Sequence, residues 1–201
     1  MIAIIDYGAG NLFSVKNALD FLKIPNEITS EANKLEEAQA IILPGVGAFP
    51  DAMHMLQNKG LIPVIQEQAQ KKPLLGICLG MQILFEKGYE FNETQGLGLI
   101  PGNVIKIDGG GLKIPHIGWN DLKISNHCSL TKETREGDYV YFVHSFRADT
   151  EEKYISCYTM YHEKIPALVQ HGHVYGAQFH PEKSGTVGLA MLKNFAGLVE
   201  Q

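Results

Sequence analysis

The sequence predicts an α/β fold, a mostly parallel sheet flanked by helices with an antiparallel, β-rich C-terminal portion. Three observations predict it. Short continuous apolar runs alternate with amphipathic segments through the first half of the chain. Those runs end in glycine-bearing turns. From about Gly96 the helical patterning gives way to closely spaced strands. Continuous apolar strands separated by helices must be buried on both faces, as in a parallel sheet covered by helices on either side.

The elements follow in order. "IAIIDY" (Ile2–Tyr7) is an apolar strand running into Gly8-Ala9-Gly10, and "NLFSVKNALDFL" then sets Leu12, Val15, Leu19 and Leu22 on one helical face. "AIIL" (Ala40–Leu43) is a second buried strand that runs into "PGVGAF". Helical patterns cover Pro50–Asn58 and Ile62–Gln70. "PLLGI" (Pro73–Ile77) is a further strand, and the segment after Cys78 is expected to be helical through Phe85. Beyond Gly96, "VIKID", "DYVYFVHSF", "KYISCYTM", "ALVQ" and "HVYGAQFH" read as strands, with "QHGH" (Gln170–His173) a tight hairpin turn. An amphipathic helix over Val187–Val199 closes the pattern.

At 201 residues the chain is expected to form one domain, 1–201, long enough to bury a full core. It is 45% hydrophobic and 19% charged with a net charge of −5, and no basic cluster suits nucleic acid or anionic membrane. "MIAIID" is too short an apolar run for a signal peptide, and no later stretch approaches bilayer length. The three cysteines, Cys78, Cys128 and Cys157, are widely spaced and odd in number. This argues for a reducing compartment, and a cytoplasmic location is expected.

Gly76-Ile77-Cys78-Leu79-Gly80 has the form G-x-C-x-G, a nucleophile elbow with sulfur in place of oxygen. The nucleophile sits on a strained strand-to-helix turn, and the flanking glycines keep side chains clear of it. There Cys78 faces the positive end of the following helix, and the Leu79 amide is available to an oxyanion. A thiolate needs a base, and "FHPEKS" (Phe179–Ser184) offers His180. Pro181 keeps His180 extended, so His180 and Glu182 share a face and the carboxylate can orient the imidazole. Nucleophile, base and orienter are then all present. "LPGVGAF" (Leu43–Phe49) follows a strand on the same edge, and Gly45 to Gly47 are the natural source of a second oxyanion donor.

Other motifs carry less. His171 and His173 could share a strand face, but no third metal ligand is placed nearby. "DYGAGNLF" (Asp6–Phe13) resembles a dinucleotide fingerprint, except that Phe13 stands at the third glycine position, where it would block helix–strand approach. No cofactor or metal is expected.

Together, "PGVGAF", "GICLGMQ" and "FHPEKS", in this order, resemble the class I glutamine amidotransferases, whose fold is flavodoxin-like. More narrowly, "DYGAGNLFSV", "PHIGWN" (Pro115–Asn120), "YFVHSF" and "FHPEKSG" are similar to the glutaminase subunits of imidazole glycerol phosphate synthases. The resemblance implies that Cys78 attacks the side-chain amide of glutamine while His180, oriented by Glu182, moves the protons. It implies oxyanion donors at Leu79 and within Gly45-Val46-Gly47, a substrate contact at Gln82, and a carboxylate for the substrate amino group at Glu90, with Glu93 the alternative. It implies that the His144-Ser145-Phe146 backbone frames the substrate carboxylate. It also implies a heterodimer with a separate (β/α)₈ cyclase subunit, with Trp119, Asn120 and Lys183 near that interface. The ammonia would be used there to make imidazole glycerol phosphate and aminoimidazole carboxamide ribotide in histidine biosynthesis. A glutaminase for another synthase and a cysteine hydrolase are the alternatives.

Overall fold

A computed structural model describes residues 1–199. In chain order the first half contains β1 (Ile2–Ile5), α1 (Leu12–Phe21), β2 (Asn26–Thr29), α2 (Ala32–Glu37), β3 (Ala40–Gly45), α3 (Phe49–Asn58), α4 (Ile62–Gln68), β4 (Leu74–Cys78) and α5 (Leu79–Gln82). The second half contains β5 (Phe85–Gly88), β6 (Thr94–Gln95), β7 (Ile100–Lys106), β8 (His116–Asp121), β9 (Lys123–Ile124), β10 (Tyr139–His144), β11 (Phe146–Asp149), β12 (Ile155–Tyr161), β13 (Glu163–His171), β14 (Val174–Ala177) and α6 (Gly185–Ala196).

Eight strands form the main sheet in the order β2-β1-β3-β4-β14-β13-β12-β9. The first five run parallel and the rest antiparallel. Counted along the chain, the parallel strands lie in the order 2-1-3-4-5, the flavodoxin-like arrangement. Strand alternation feeds two cores. Ala3, Ile5, Ile41 and Leu43 pack with Phe49, Leu56 and Ile65 of α3 and α4 on one face. Ile2, Ile4, Ile42 and Ile77 pack with Leu19 of α1 and Leu192 and Phe195 of α6 on the other. Burial of both faces explains the unbroken apolar runs of β1 and β3. Two smaller sheets, β10-β8 and β11-β7-β5-β6, lie beyond the main one.

The structure departs from the expectations in three places. The helix after Cys78 stops at Gln82, and Phe85 begins β5 instead of ending a helix. Leu84 and Phe85 are fully buried and their apolar run serves a strand equally well, so periodicity over seven residues could not separate the two. Phe13 is 72% exposed and does not obstruct helix–strand packing, so the steric reason for discounting the fingerprint is wrong. His180 is extended as expected, but Pro181–Lys183 form a short 3-10 turn, so Glu182 reaches the imidazole from that turn and not from an extended segment shared with His180. The hairpin at Gln170–His173 is present, with His171 opposite Val174.

Candidate functional site

Parallel pairing puts Gly45 of β3 directly beside Cys78 of β4, both at the carboxyl ends of their strands. That edge is where ligands bind in open α/β sheets. Cys78 has φ 55° and ψ −112°, a strained conformation for a residue with a side chain. Three glycines allow the turn. A Cβ at Gly76 would lie 2.5 Å from the Gly80 oxygen, one at Gly45 would lie 2.5 Å from the Gly80 nitrogen, and one at Gly80 would strike the Leu43 carbonyl oxygen. The crossing of β3, β4 and α5 is thus backbone against backbone, and the turn that carries the sulfur has no room for a side chain at these three positions.

His180 arrives by the neighbouring strand. β14 pairs parallel with β4, Ala177 opposite Ile77, so the chain leaving β14 passes the end of β4 three residues later. The His180 amide donates to the Tyr141 carbonyl at 3.0 Å, and the Ser184 hydroxyl donates to the His180 carbonyl at 2.6 Å. His180 Nδ1 meets Glu182 Oε1 at 2.8 Å, with the Glu182 side chain fully buried. Nδ1 is therefore occupied, which leaves Nε2 as the ring nitrogen for other chemistry. Burial alone would depress this imidazole. The Cys78 sulfur and the Glu182 carboxylate outweigh it and raise the pKa to about 9. At neutral pH His180 is therefore protonated and can act first as an acid.

Cys78 and His180 line one cavity of about 300 Å³ together with Val46, Gly47, Leu79 and Gln82. Glu90, Pro115, Val143 and the His144-Ser145-Phe146 segment form the rest of its wall. Val46 is exposed and Gly47 holds φ +105°, a conformation that favours glycine. Leu79 opens α5, where first-turn N–H groups lack intrahelical acceptors. Gln82 donates one amide hydrogen to the Phe146 carbonyl at 3.0 Å and another to Gln178 Oε1 at 3.0 Å, which leaves its own oxygen for a ligand. Glu90 Oε2 accepts from the Phe49 amide at 2.8 Å, whereas Glu93 pairs with Lys87 on the surface. Of the two carboxylates, only Glu90 faces the cavity.

Trp119, Asn120 and Lys183 lie outside the cavity. Trp119 and Lys183 are exposed, and Asn120 is half-buried. Sequence reasoning missed Gln178, which is fully buried and whose amide donates toward the Cys78 sulfur at 4.0 Å. Its position two before His180 in an extended segment was the available signal. It also missed Tyr7, buried beside Gly45, whose hydroxyl has no partner among the described residues. Burial and then the nearby Cys78 push that hydroxyl's pKa up. Cys157 lies buried in β12, with its thiol pushed up to about 12 by burial and then by Cys128 and Glu136. It lies apart from the cavity.

A family model for class-I glutamine amidotransferases matches residues 3–198. Curated relatives include the imidazole glycerol phosphate synthase subunit HisH of Shouchella clausii (strain KSM-K16), 51% identical over an alignment of 206 residues covering 100% of this chain and 99% of that protein. The subunit of the same name from Bacillus anthracis (strain A0248) is 49% identical, with 100% and 96% covered. Among solved structures, a crystal structure described as a glutamine amidotransferase superposes with a TM-score of 0.77 at 20% identity, covering 100% of both chains. The structure of PurLQS from Thermotoga maritima gives 0.77 at 20% identity, covering 98% of this chain and 97% of that one. At such identities these two speak for the fold. The sequence relatives speak more narrowly, and on them the chain belongs to the class I glutamine amidotransferases, within the group of imidazole glycerol phosphate synthase HisH subunits.

Proposed function

We propose that this chain is the glutaminase subunit of an imidazole glycerol phosphate synthase, acting as one domain in a reducing cytoplasm. The reading rests on one juxtaposition, a strained cysteine beside a histidine carried to it by the adjacent parallel strand and backed by a buried carboxylate. In the reaction the Cys78 sulfur attacks the side-chain carbonyl carbon of glutamine. The negative oxygen that results is held by the Leu79 amide and an amide of Gly45-Val46-Gly47. His180 gives its proton to the leaving nitrogen, ammonia departs, and a γ-glutamyl thioester remains. Neutral His180 then takes a proton from water as it attacks the thioester carbon, and glutamate leaves as the Cys78 sulfur is released.

Glutamine is held, on this reading, by Gln82 at the side-chain amide, Glu90 at the ammonium and the His144-Ser145-Phe146 backbone at the carboxylate. The ammonia passes to a (β/α)₈ cyclase subunit docked over the face that carries Trp119, Asn120 and Lys183. Cys78→Ala tests this in the reconstituted complex. Glutamine-dependent synthesis should fall at least about 10⁴-fold, while synthesis from added ammonium persists. Loss of both would mean that the substitution disrupts assembly. A wild-type complex that hydrolyses no glutamine would sink the reading.

A further inference from the structure

His116 stands directly opposite His144 across the antiparallel pair β8 and β10. Both are buried, and their rings meet at 2.9 Å between His116 Nδ1 and His144 Nε2. Neither ring is free to choose its tautomer. His144 Nδ1 lies 2.8 Å from the Phe146 carbonyl, which can only accept, so Nδ1 carries the proton. Its Nε2 is then an acceptor and takes the N–H of His116 Nδ1. That leaves His116 Nε2 as an acceptor, and it faces Asn120 Nδ2 at 3.2 Å.

The other end of the chain gives the same answer independently. Asn120 Oδ1 accepts from the Asp121 amide at 3.0 Å and Asn120 Nδ2 donates to the Met160 carbonyl at 3.2 Å, so the amide's orientation is fixed with its donor toward His116. In a regular strand residues four apart would be about 13 Å apart. Gly118 lies between them at φ +127°, outside the conformation of a regular strand, although the pairing of β8 with β10 continues through it. Phe142 and Tyr161 stack on the His116 ring with centroids 4.7 and 4.1 Å away and hold its plane. An added proton on either ring would place two N–H groups head to head. Burial works in the same direction, depressing His116 to about 4 and His144 to about 3.

The chain ends on the one carbonyl that Gln82 also uses. Phe146 O accepts from both His144 and Gln82, which fills its two lone pairs. We infer that His116 is a positioning residue for the glutaminase reaction, setting through His144 the orientation of the Phe146 carbonyl and hence of Gln82 in the cavity wall. The inference deepens the proposed function and its kinetic consequence rests on that reading. His116 itself does not line the cavity.

Two measurements test it. In the wild-type protein, nitrogen-15 NMR of the histidine rings should find both His116 and His144 as the neutral Nδ1–H tautomer at neutral pH. A proton on Nε2 of either ring overturns the inference, whatever the protein's activity. In the complex with its cyclase subunit, His116→Phe keeps the stacked ring but removes the donor. It should raise the glutamine KM about tenfold with kcat changed less than about twofold. His116→Asn places an amide nitrogen near the former Nδ1 and should restore most of that KM, whereas His116→Gln reproduces only the Nε2 side and should not. An unchanged KM in His116→Phe, or equal impairment in the asparagine variant, refutes the positioning role. Should His116→Phe fail to fold, the tautomer measurement still decides. Synthesis from ammonium, intact in all variants, separates this failure from failure of the complex.

Discussion

The two halves of the site are built by different physics. On the nucleophile side, β3, β4 and α5 cross with backbone touching backbone, and Gly45, Gly76 and Gly80 leave no room for one additional carbon. On the histidine side, the backbone ladder of β8 and β10 and the segment from Gln178 to Ser184 are tied to the site by side-chain hydrogen bonds. Glu182 on His180, Ser184 on the His180 carbonyl, and the line from Asn120 to Phe146 are the main ones. The first half is fixed by what cannot fit. The second is fixed by who donates to whom. A substitution should therefore act on stability in one half and on charge and orientation in the other.

The largest expected effect breaks the first half. Gly80→Ala drives a methyl group into the Leu43 carbonyl, which is sheet backbone and cannot give. The cost should be about 3 kcal/mol or more, lowering the melting temperature by roughly 10 °C. Thermal unfolding followed by circular dichroism measures it. A loss below about 1 kcal/mol would mean that α5 can move off β3, and the steric account of the elbow would fail.

Glu182→Gln probes the second half with no change of shape. Glutamine turnover should fall about a hundredfold, as expected when a general acid and base loses its orienting charge. Stability should respond with a definite sign. The His180 pKa is raised above its unfolded value near 6.5, so its bound proton stabilises the fold fully below about pH 6.5, and that contribution is lost as pH rises through about 9. The variant lacks part of it. Wild type should thus exceed the variant most below pH 6.5, with the gap closing by about pH 9. Above that the order should reverse, because the wild-type carboxylate is then buried without a cation and with Glu182 Oε2 unbonded among the described residues. Urea unfolding across that range checks it, and a gap that grows with pH would refute the pairing.

The same contrast explains what the sequence disclosed. The elbow and its strand were legible because glycine spacing around a reactive residue has few physical meanings. The partnership of His180 with Glu182 was legible because Pro181 keeps His180 extended, although Glu182 meets the imidazole from the short 3-10 turn Pro181–Lys183 and not by strand alternation. The chain from His116 to Phe146 was not. It depends on β8, a strand whose "PHIGWN" composition carries no clean alternation, and on a register that only cross-strand pairing with β10 defines. Gln178 was missed for a related reason, since its meaning comes from Gln82 and Cys78, about a hundred residues earlier. Polar networks are defined by pairings between distant segments, and local pattern does not encode them.

The smallest effect sharpens the comparison at the cavity's rim, where two nearby carboxylates sit in different surroundings. Glu90 faces the cavity and accepts from the Phe49 amide, while Glu93 lies in solvent beside Lys87. If Glu90 holds the substrate ammonium, Glu90→Gln should raise the glutamine KM about tenfold while leaving kcat close to wild type, since that contact is equal in ground and transition states. Glu93→Gln breaks an exposed ion pair. Such pairs contribute about 0–1 kcal/mol and are screened by salt, so both KM and melting temperature should stay near wild type. The informative outcome is the ratio of the two effects. Comparable losses from both substitutions would show that the substrate senses the general negative charge of the loop, and the ammonium contact could then not be assigned to one placed carboxylate.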